Sequence, residues 1–333
     1  MTKRKDGRWQ ESVVINGKRR YFYGKSKADV MRKISEFKDR DITGKLFSEV
    51  ADEWWNEHSP EIEYNTKKAY TAPLKSAKEL YGDIPTRSIT AEEIKRYVTG
   101  LISKGYSRHT ITQRLMVLKM ILSYAVIHGY IDINPAREVF IPKKIKCGKR
   151  DIASDKDIEI IKQSYDVPFG DFAYWALYTG CRKGELLALT WDDVHLDDGY
   201  ISVSKSIYHE NGKPRVKSTK TQSGVRNVPI LKALQDKIKP SKGYVFAGKD
   251  GKPMTEKSVR LRWDKYAKQT GVSCTVHQLR HAYATLLYES GIPVLDAQLL
   301  LGHANASTTQ DIYTHIRNSR QENIRKKLYD ADF

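Results

Sequence analysis

Two arginines, two histidines and a tyrosine stand in this 333-residue chain at spacings that suit nucleophilic attack on a phosphodiester. His277 and Arg280 share the run His277-Gln278-Leu279-Arg280-His281, His303 closes Leu301-Gly302-His303, and Tyr313 lies ten residues further on. Arg182, in Thr179-Gly180-Cys181-Arg182-Lys183-Gly184-Glu185, precedes them by about a hundred residues, at the start of another apolar segment. A phosphodiester carries one negative charge, and its pentavalent transition state spreads more onto the non-bridging oxygens. Guanidinium groups meet such oxygens with planar, paired donors and do not lose their proton. Arg182 and Arg280 are therefore the expected clamp, each supplying several kcal/mol in the transition state. Tyr313 is the expected nucleophile: a covalent link to its oxygen stores the energy of the broken bond, so resealing calls for no ATP. Its phenol, with a reference pKa of about 10, needs a proton acceptor, and His277 is the leading candidate. His303 is suited to donate a hydrogen bond to a non-bridging oxygen. Tyr313 is one of 20 tyrosines, and only its distance from His303 singles it out. His277 and His281 stand four apart beside Cys274, but Arg280 between them would repel a cation and the glutamate of a His-Glu-x-x-His zinc motif is missing. No metal is expected, and His281 and His315 read as structural or solvent-exposed.

The set Arg182, His277, Arg280, His303 and Tyr313, in that order and spacing, resembles the signature of the tyrosine recombinases, or phage-integrase family, from about residue 150 to the end. The resemblance implies a site-specific recombinase, a three-domain integrase of a phage or an integrative/conjugative element. Such an enzyme cuts and rejoins DNA through a 3′-phosphotyrosine and a Holliday junction, integrating and excising its element. The implied partners are double-stranded attachment sites and a homotetramer on DNA, with an excisionase and a host DNA-bending protein as candidate accessories. A general acid is also implied, because in such proteins a lysine of a β-hairpin protonates the departing 5′-oxygen. Lys220 in Thr219-Lys220-Thr221-Gln222-Ser223-Gly224 fits that pattern best, and Lys217 is the second candidate. An acidic residue at the place of Glu185 orients a neighbour in the family, here Arg182 or His277. At Ala282 and Tyr283 the chain departs from the usual threonine and aromatic pair, a difference of packing rather than chemistry.

Composition agrees with a polyanionic partner. The chain has 58 Lys+Arg against 40 Asp+Glu, a formal net charge of +18, and nucleic acid is the commonest ligand of so basic a protein. The charge is uneven: residues 1–45 hold 14 basic and 6 acidic side chains. Three widely spaced cysteines without a Cys-x-x-Cys pair argue for a reducing compartment and against a disulfide framework. The basic N-terminus has no apolar run behind it, and no window reaches the ~20 apolar residues of a membrane span. A cytoplasmic protein of a bacterial host, associated with the nucleoid and not with a membrane, is the expectation.

The elements that must position these residues fall into three segments joined by a linker. The fold class expected is multidomain, mainly α with small β-sheets. Residues 1–45 read as a three-stranded sheet plus a helix: two β-rich runs flank Asn16-Gly17, whose residues both tolerate positive φ. Ser26 can cap a helix with Val30, Ile34 and Phe37 on one face. Such a unit resembles the arm-type DNA-binding domain of integrases, with Arg19 and Arg20 as candidate contacts; a purely structural hairpin is the alternative. Residues 46–141 read as a helical core-binding domain, with a Thr90/Glu93 capping box and apolar residues at 111, 115, 118, 122 and 126. Lys67, Lys68, Arg108, Arg114 and Lys119 are candidate phosphate contacts as a group, and surface solvation explains any one of them equally well. Residues 142–150, with Lys143 and Lys144 and no acid, read as a basic linker; in the family it lies along the duplex. Residues 151–333 read as a mixed α+β catalytic domain, with strands at 200–203 and 226–230 and a polar, flexible turn between them. The basic amphipathic tail from Ser319 docks on a neighbouring protomer in the family, or folds back on its own domain. A type IB topoisomerase and a catalytically idle DNA-binding regulator are the rival readings. The hairpin domain and the Leu-Gly-His spacing disfavour the first, and the complete catalytic set disfavours the second.

Overall fold

The computed structural model describes residues 1–316 apart from 5, 16–17, 144, 146–151, 219–223, 304–308, 311 and 315, and side chains are also left undescribed at 14–15, 18–20 and 36–43. The chain divides into two compact units, Met1–Lys149 and Arg150–Phe333.

In the first unit, β2 (Trp9–Ile15) and β3 (Lys18–Gly24) pair antiparallel from Trp9↔Gly24 to Ile15↔Lys18, and β1 (Thr2–Lys3) adds to the free edge of β2. A ladder closing at Ile15↔Lys18 requires a two-residue loop; Asn16 and Gly17 themselves lie outside the described residues. Ser26 Oγ accepts from the Asp29 amide at 3.1 Å and starts α1 (Lys27–Thr43), which buries Val30 and Ile34 on the sheet side. The side chains of Arg19, Arg20 and Phe37 are outside the description.

Four helices follow: α2 (Phe47–His58), α3 (Tyr64–Tyr81), α4 (Ala91–Ser103) and α5 (Arg108–Ile127). The capping box forms as the sequence implies, with Thr90 Oγ1 accepting from the Glu93 amide and Glu93 Oε2 from the Thr90 amide. Ile111, Leu115, Leu118 and Leu122 are buried, and Val117, Ile121 and Ala125 widen that stripe into a broad face against Phe47, Trp54 and Ile94. By length and composition α5 is apolar enough to cross a membrane. Its apolar side chains are instead largely consumed by this core, the ordinary use of such a helix in a bundle.

The second unit is helical around a small antiparallel sheet of order β4-β5-β8, namely Val194–His195, Tyr200–Val203 and Arg226–Pro229. The stretch between β5 and β8 is not simply a turn. Lys205–Glu210 (β6) and Lys213–Ser218 (β7) form a second hairpin, closed by Asn211 and Gly212 with φ of 49° and 78°. The same Asn-Gly signal that marks the first hairpin stands here, but the strands beside it are polar and show no apolar alternation. Lys217 therefore sits within β7, opposite Ser206, with its ammonium 5.6 Å from the Tyr208 ring centre. Lys220 lies outside the described residues. Around these sheets pack α6 (Asp155–Gln163), α7 (Gly170–Thr179), α8 (Lys183–Ala188), α9 (Lys232–Gln235), α10 (Glu256–Thr270), α11 (Val276–Glu289) and α12 (Val294–Leu301).

Candidate active site

α7 is buried almost all round and packs along α11. It ends at Gly180, whose φ of 61° suits glycine, and a Cβ there would collide with the Tyr283 ring of α11. The chain then re-enters a helix with Arg182 as the N-cap of α8. Glu185 Oε2 accepts from the Arg182 amide at 2.8 Å. That amide is thus occupied by the chain's own carboxylate and is not open to a phosphate.

A second helix end assembles the cluster. α12 stops at Gly302, again left-handed with φ 65°, and the last carbonyls of a helix have no partner within it. Three arginines from three elements satisfy them in succession. Arg226 Nε of β8 donates to the Leu300 carbonyl at 2.7 Å, Arg280 Nη2 of α11 to Leu301, and Arg182 Nη2 to Gly302 at 2.7 Å. Cations at the negative end of a helix are favourably placed. Glu185, only 2 % exposed, joins the three: its carboxylate lies 2.7 Å from Arg182 Nη1, 2.8 Å from Arg226 Nη2 and 3.9 Å from Arg280 Nη1. Arg280 Nη1 also donates to the Gly180 carbonyl at 2.9 Å, which ties α11 to the α7–α8 turn. Arg280 and Arg226 are buried, whereas the Arg182 side chain is 44 % exposed.

Arg226 is the participant the sequence reading missed. Its period of two with Val228 puts it on the inward face of β8. A lone arginine on an inward face is the signal that could have found it. Glu185 acts on arginines, Arg182 and Arg226.

The electrostatics follow from this packing. Burial pushes the Glu185 carboxyl up, but the hydrogen bond and charge of Arg226, together with Arg182, outweigh it and hold the group at about 2. Burial, then the Arg182 charge, brings Arg280 down to about 9, so it stays cationic at neutral pH. His303 follows Gly302 directly, and its Nδ1 lies 2.8 Å from the buried Thr309 Oγ1. Burial lowers the imidazole to about 3, and the charges of Arg280 and Arg182 add to the effect. The ring is neutral at pH 7. If the threonine hydroxyl donates to Nδ1, the proton sits on Nε2, the tautomer able to donate to a phosphate oxygen.

A pH dependence results. An unfolded chain protonates His303 near pH 6.5 while the folded one resists until about 3, so stability is full above 6.5 and is lost as pH falls through that window. Glu185 adds a loss of the same sign between 4.5 and about 2. The melting temperature is expected to fall steadily from pH 7 to 5, and His303→Gln to flatten that fall. Thermal scans in matched buffers check this; an unchanged slope in the variant would assign the acid sensitivity elsewhere.

The other candidates are distributed differently. His277 is exposed in the first turn of α11, its ring 4.7 Å from that of His281. Tyr313 is turned into an apolar cluster with Tyr283, Leu287, Ala297 and Leu301. Its ring meets Tyr288 edge-on at 5.0 Å, its hydroxyl donates to the Ile292 carbonyl at 3.3 Å, and burial raises its pKa. Arg182, Arg280, His303 and Glu185 thus converge, while the Tyr313 hydroxyl is engaged with a backbone carbonyl. His315 and Lys144 fall outside the described residues. In the first unit Lys68 and Lys143 are exposed and Lys67 is half-buried. Arg108 donates to the Pro142 carbonyl at 2.6 Å, and Arg114 reaches Ser76 Oγ at 3.3 Å while lying over the Tyr106 ring. Lys119 donates to the Arg137 carbonyl at 3.2 Å.

Comparison with known proteins matches both units. The profile of the phage integrase family fits residues 158–320, and that of the phage integrase central domain fits residues 47–140. A "tyrosine recombinase XerC-like" protein of Caldanaerobacter subterraneus subsp. tengcongensis is 29 % identical, over 95 % of this chain and 93 % of its own. Tyrosine recombinase XerC of Xylella fastidiosa strain 9a5c is 32 % identical, over 72 % of this chain and 79 % of its own. Among solved structures, the Tn1549 transposon integrase in complex with a circular intermediate DNA aligns with a TM-score of 0.69 at 20 % identity, over 84 % of this chain and 99 % of its own. A lambda integrase tetramer bound to a Holliday junction aligns with a TM-score of 0.63 at 20 % identity, over 91 % and 95 %.

Proposed function

Because the chain belongs to the phage integrase family of tyrosine recombinases and is a site-specific recombinase, we propose the following division of labour. Tyr313 attacks the scissile phosphate, Arg182 and Arg280 bind its non-bridging oxygens, and His303 donates a hydrogen bond to one of them. His277 accepts the phenol proton, and Lys220 protonates the departing 5′-oxygen. The observation that carries this reading is the convergence of Arg182, Arg280 and His303 at the end of α12. Fixed donors in a partly water-excluded site stabilise developing charge without having to reorganise. The product is a 3′-phosphotyrosine, which a 5′-hydroxyl reverses, so neither metal nor ATP takes part.

Tyr313 has to leave the Ile292 carbonyl before it can attack, and assembly on DNA brings about that release. The working form is a homotetramer on paired attachment sites that resolves a Holliday junction, in keeping with the lambda integrase assembly. The element served is a phage or other integrating element; the Tn1549 transposon integrase and the small N-terminal sheet support this. Excisionase and a host DNA-bending protein are the accessory partners proposed, and the bacterial cytoplasm, at the nucleoid, is the place of action.

In this reading residues 1–45 bind arm-type sites through β1–β3. Deleting residues 1–42 is expected to leave cleavage of a core site intact and to abolish integration between full-length sites. Parallel suicide-substrate and recombination assays check it. Recombination of full-length sites at the parent's rate would remove the arm-binding assignment.

A further inference from the structure

We infer that Arg226 is a positioning residue of the recombinase reaction: it neutralises Glu185 and so leaves the charges of Arg182 and Arg280 for the scissile phosphate. This rests on the functional reading above. Arg226 itself cannot be a phosphate ligand in this arrangement. Its side chain is 5 % exposed, and its three nitrogens are taken by the Leu300 carbonyl, the Glu185 carboxylate and the Gly224 carbonyl. A side chain on Gly302 would strike its Nη1, so the guanidinium fills the space beneath the residue that precedes His303.

Charge balance gives this contact its function. Among the described residues, one buried carboxylate meets three guanidiniums, and Arg226 holds both of its oxygens. With Glu185 matched in this way, two positive charges remain in excess. That excess fits the pentavalent transition state, which carries about two negative charges on its oxygens, better than the singly charged ground state. Without Arg226, the carboxylate would draw on Arg182 and Arg280, both already within 4 Å of it. One positive charge would be left, and the clamp would be turned away from DNA. The second contact of Arg226, to the Leu300 carbonyl, holds the same helix end that Arg280 and Arg182 hold. Arg226 thereby fixes the charge of the site and the height of His303 together.

The test compares the full-length parent with Arg226→Lys, Arg226→Gln and the double variant Arg226→Gln/Glu185→Gln. Single-turnover covalent cleavage of a nicked core site is measured with the DNA saturated. At saturation, Arg226→Gln is expected to cleave about 100-fold more slowly. Arg226→Lys, which keeps the charge, should stay within about tenfold of the parent. Removing the carboxylate as well restores the charge excess, so the double variant should recover at least about tenfold over Arg226→Gln. A purely structural arginine predicts the opposite, since the double variant loses one more buried contact. A double variant no faster than Arg226→Gln overturns the inference. Should Arg226→Gln fail to fold, a double variant that folds yet cleaves over about 100-fold below the parent overturns it equally. Absence of cleavage by the parent would instead sink the recombinase assignment. In that case the charge-matching claim is judged by melting temperature, where the double variant must exceed Arg226→Gln.

Discussion

Tyr313→Phe is expected to bind core-site DNA as the parent does and to form no covalent adduct at all. The phenol oxygen is the only atom lost, and its present hydrogen bond to the Ile292 carbonyl is long at 3.3 Å, so folding should suffer by no more than about 1 kcal/mol. The ring and its edge-on contact with Tyr288 remain. Stability and DNA affinity are therefore separated from chemistry by a single atom. Denaturing gels after incubation with a nicked suicide substrate report the adduct, and a mobility shift on the same DNA reports binding. An adduct on the Phe variant would move the nucleophile to another tyrosine. Loss of binding along with the adduct would mean that Tyr313 holds the DNA surface in shape.

The second large effect separates the acid from the clamp. Lys220→Ala should be slow on an ordinary phosphodiester and largely rescued when the bridging 5′-oxygen is replaced by sulfur, because a thiolate departs without a proton. Arg280→Ala should lose about 1,000-fold and gain nothing from the sulfur. Its guanidinium is assigned to non-bridging oxygens, and the substitution leaves those unchanged. Arg280 also holds the Gly180 and Leu301 carbonyls, so part of its loss will appear as a lower melting temperature. Cleavage rates on matched oxygen and sulfur substrates decide the matter. If Lys220→Ala is equally impaired on both, the acid is another group, and Lys217 on β7 is next.

Much of this was legible in the sequence where one local rule acts alone. Ser26 and Thr90 cap the helices they precede because a hydroxyl next to a free amide needs nothing else. The apolar stripe of α5 gave its buried face. The order of Arg182, Arg280 and His303 gave three of the groups that meet at the site. What remained hidden depends on contacts between distant segments. Arg226 draws its meaning from Glu185, 41 positions away, and from Leu300, 74 away, and no local pattern carries that. The β6–β7 hairpin was missed because its strands are polar and stand outside the main sheet, so alternation gave no sign of a buried face. The position of the Tyr313 hydroxyl was illegible for a related reason. A tyrosine reads the same whether it faces a phosphate or a backbone carbonyl.

A chain with a formal charge of +18 will settle on DNA of any sequence, because counterion release rewards contact with any phosphate backbone. Nearly all of its encounters in a cell are thus with the wrong DNA. An enzyme whose nucleophile stood ready in each of them would scatter nicks along the chromosome in proportion to its own abundance. With Tyr313 as the proposed nucleophile, its seat beneath Ile292 and against Tyr288 would leave those encounters chemically silent. On that assignment, genome integrity would be guarded by where one hydroxyl rests as well as by sequence discrimination. Variants that loosen that seat should accordingly be toxic to their host before they are visibly defective in recombination.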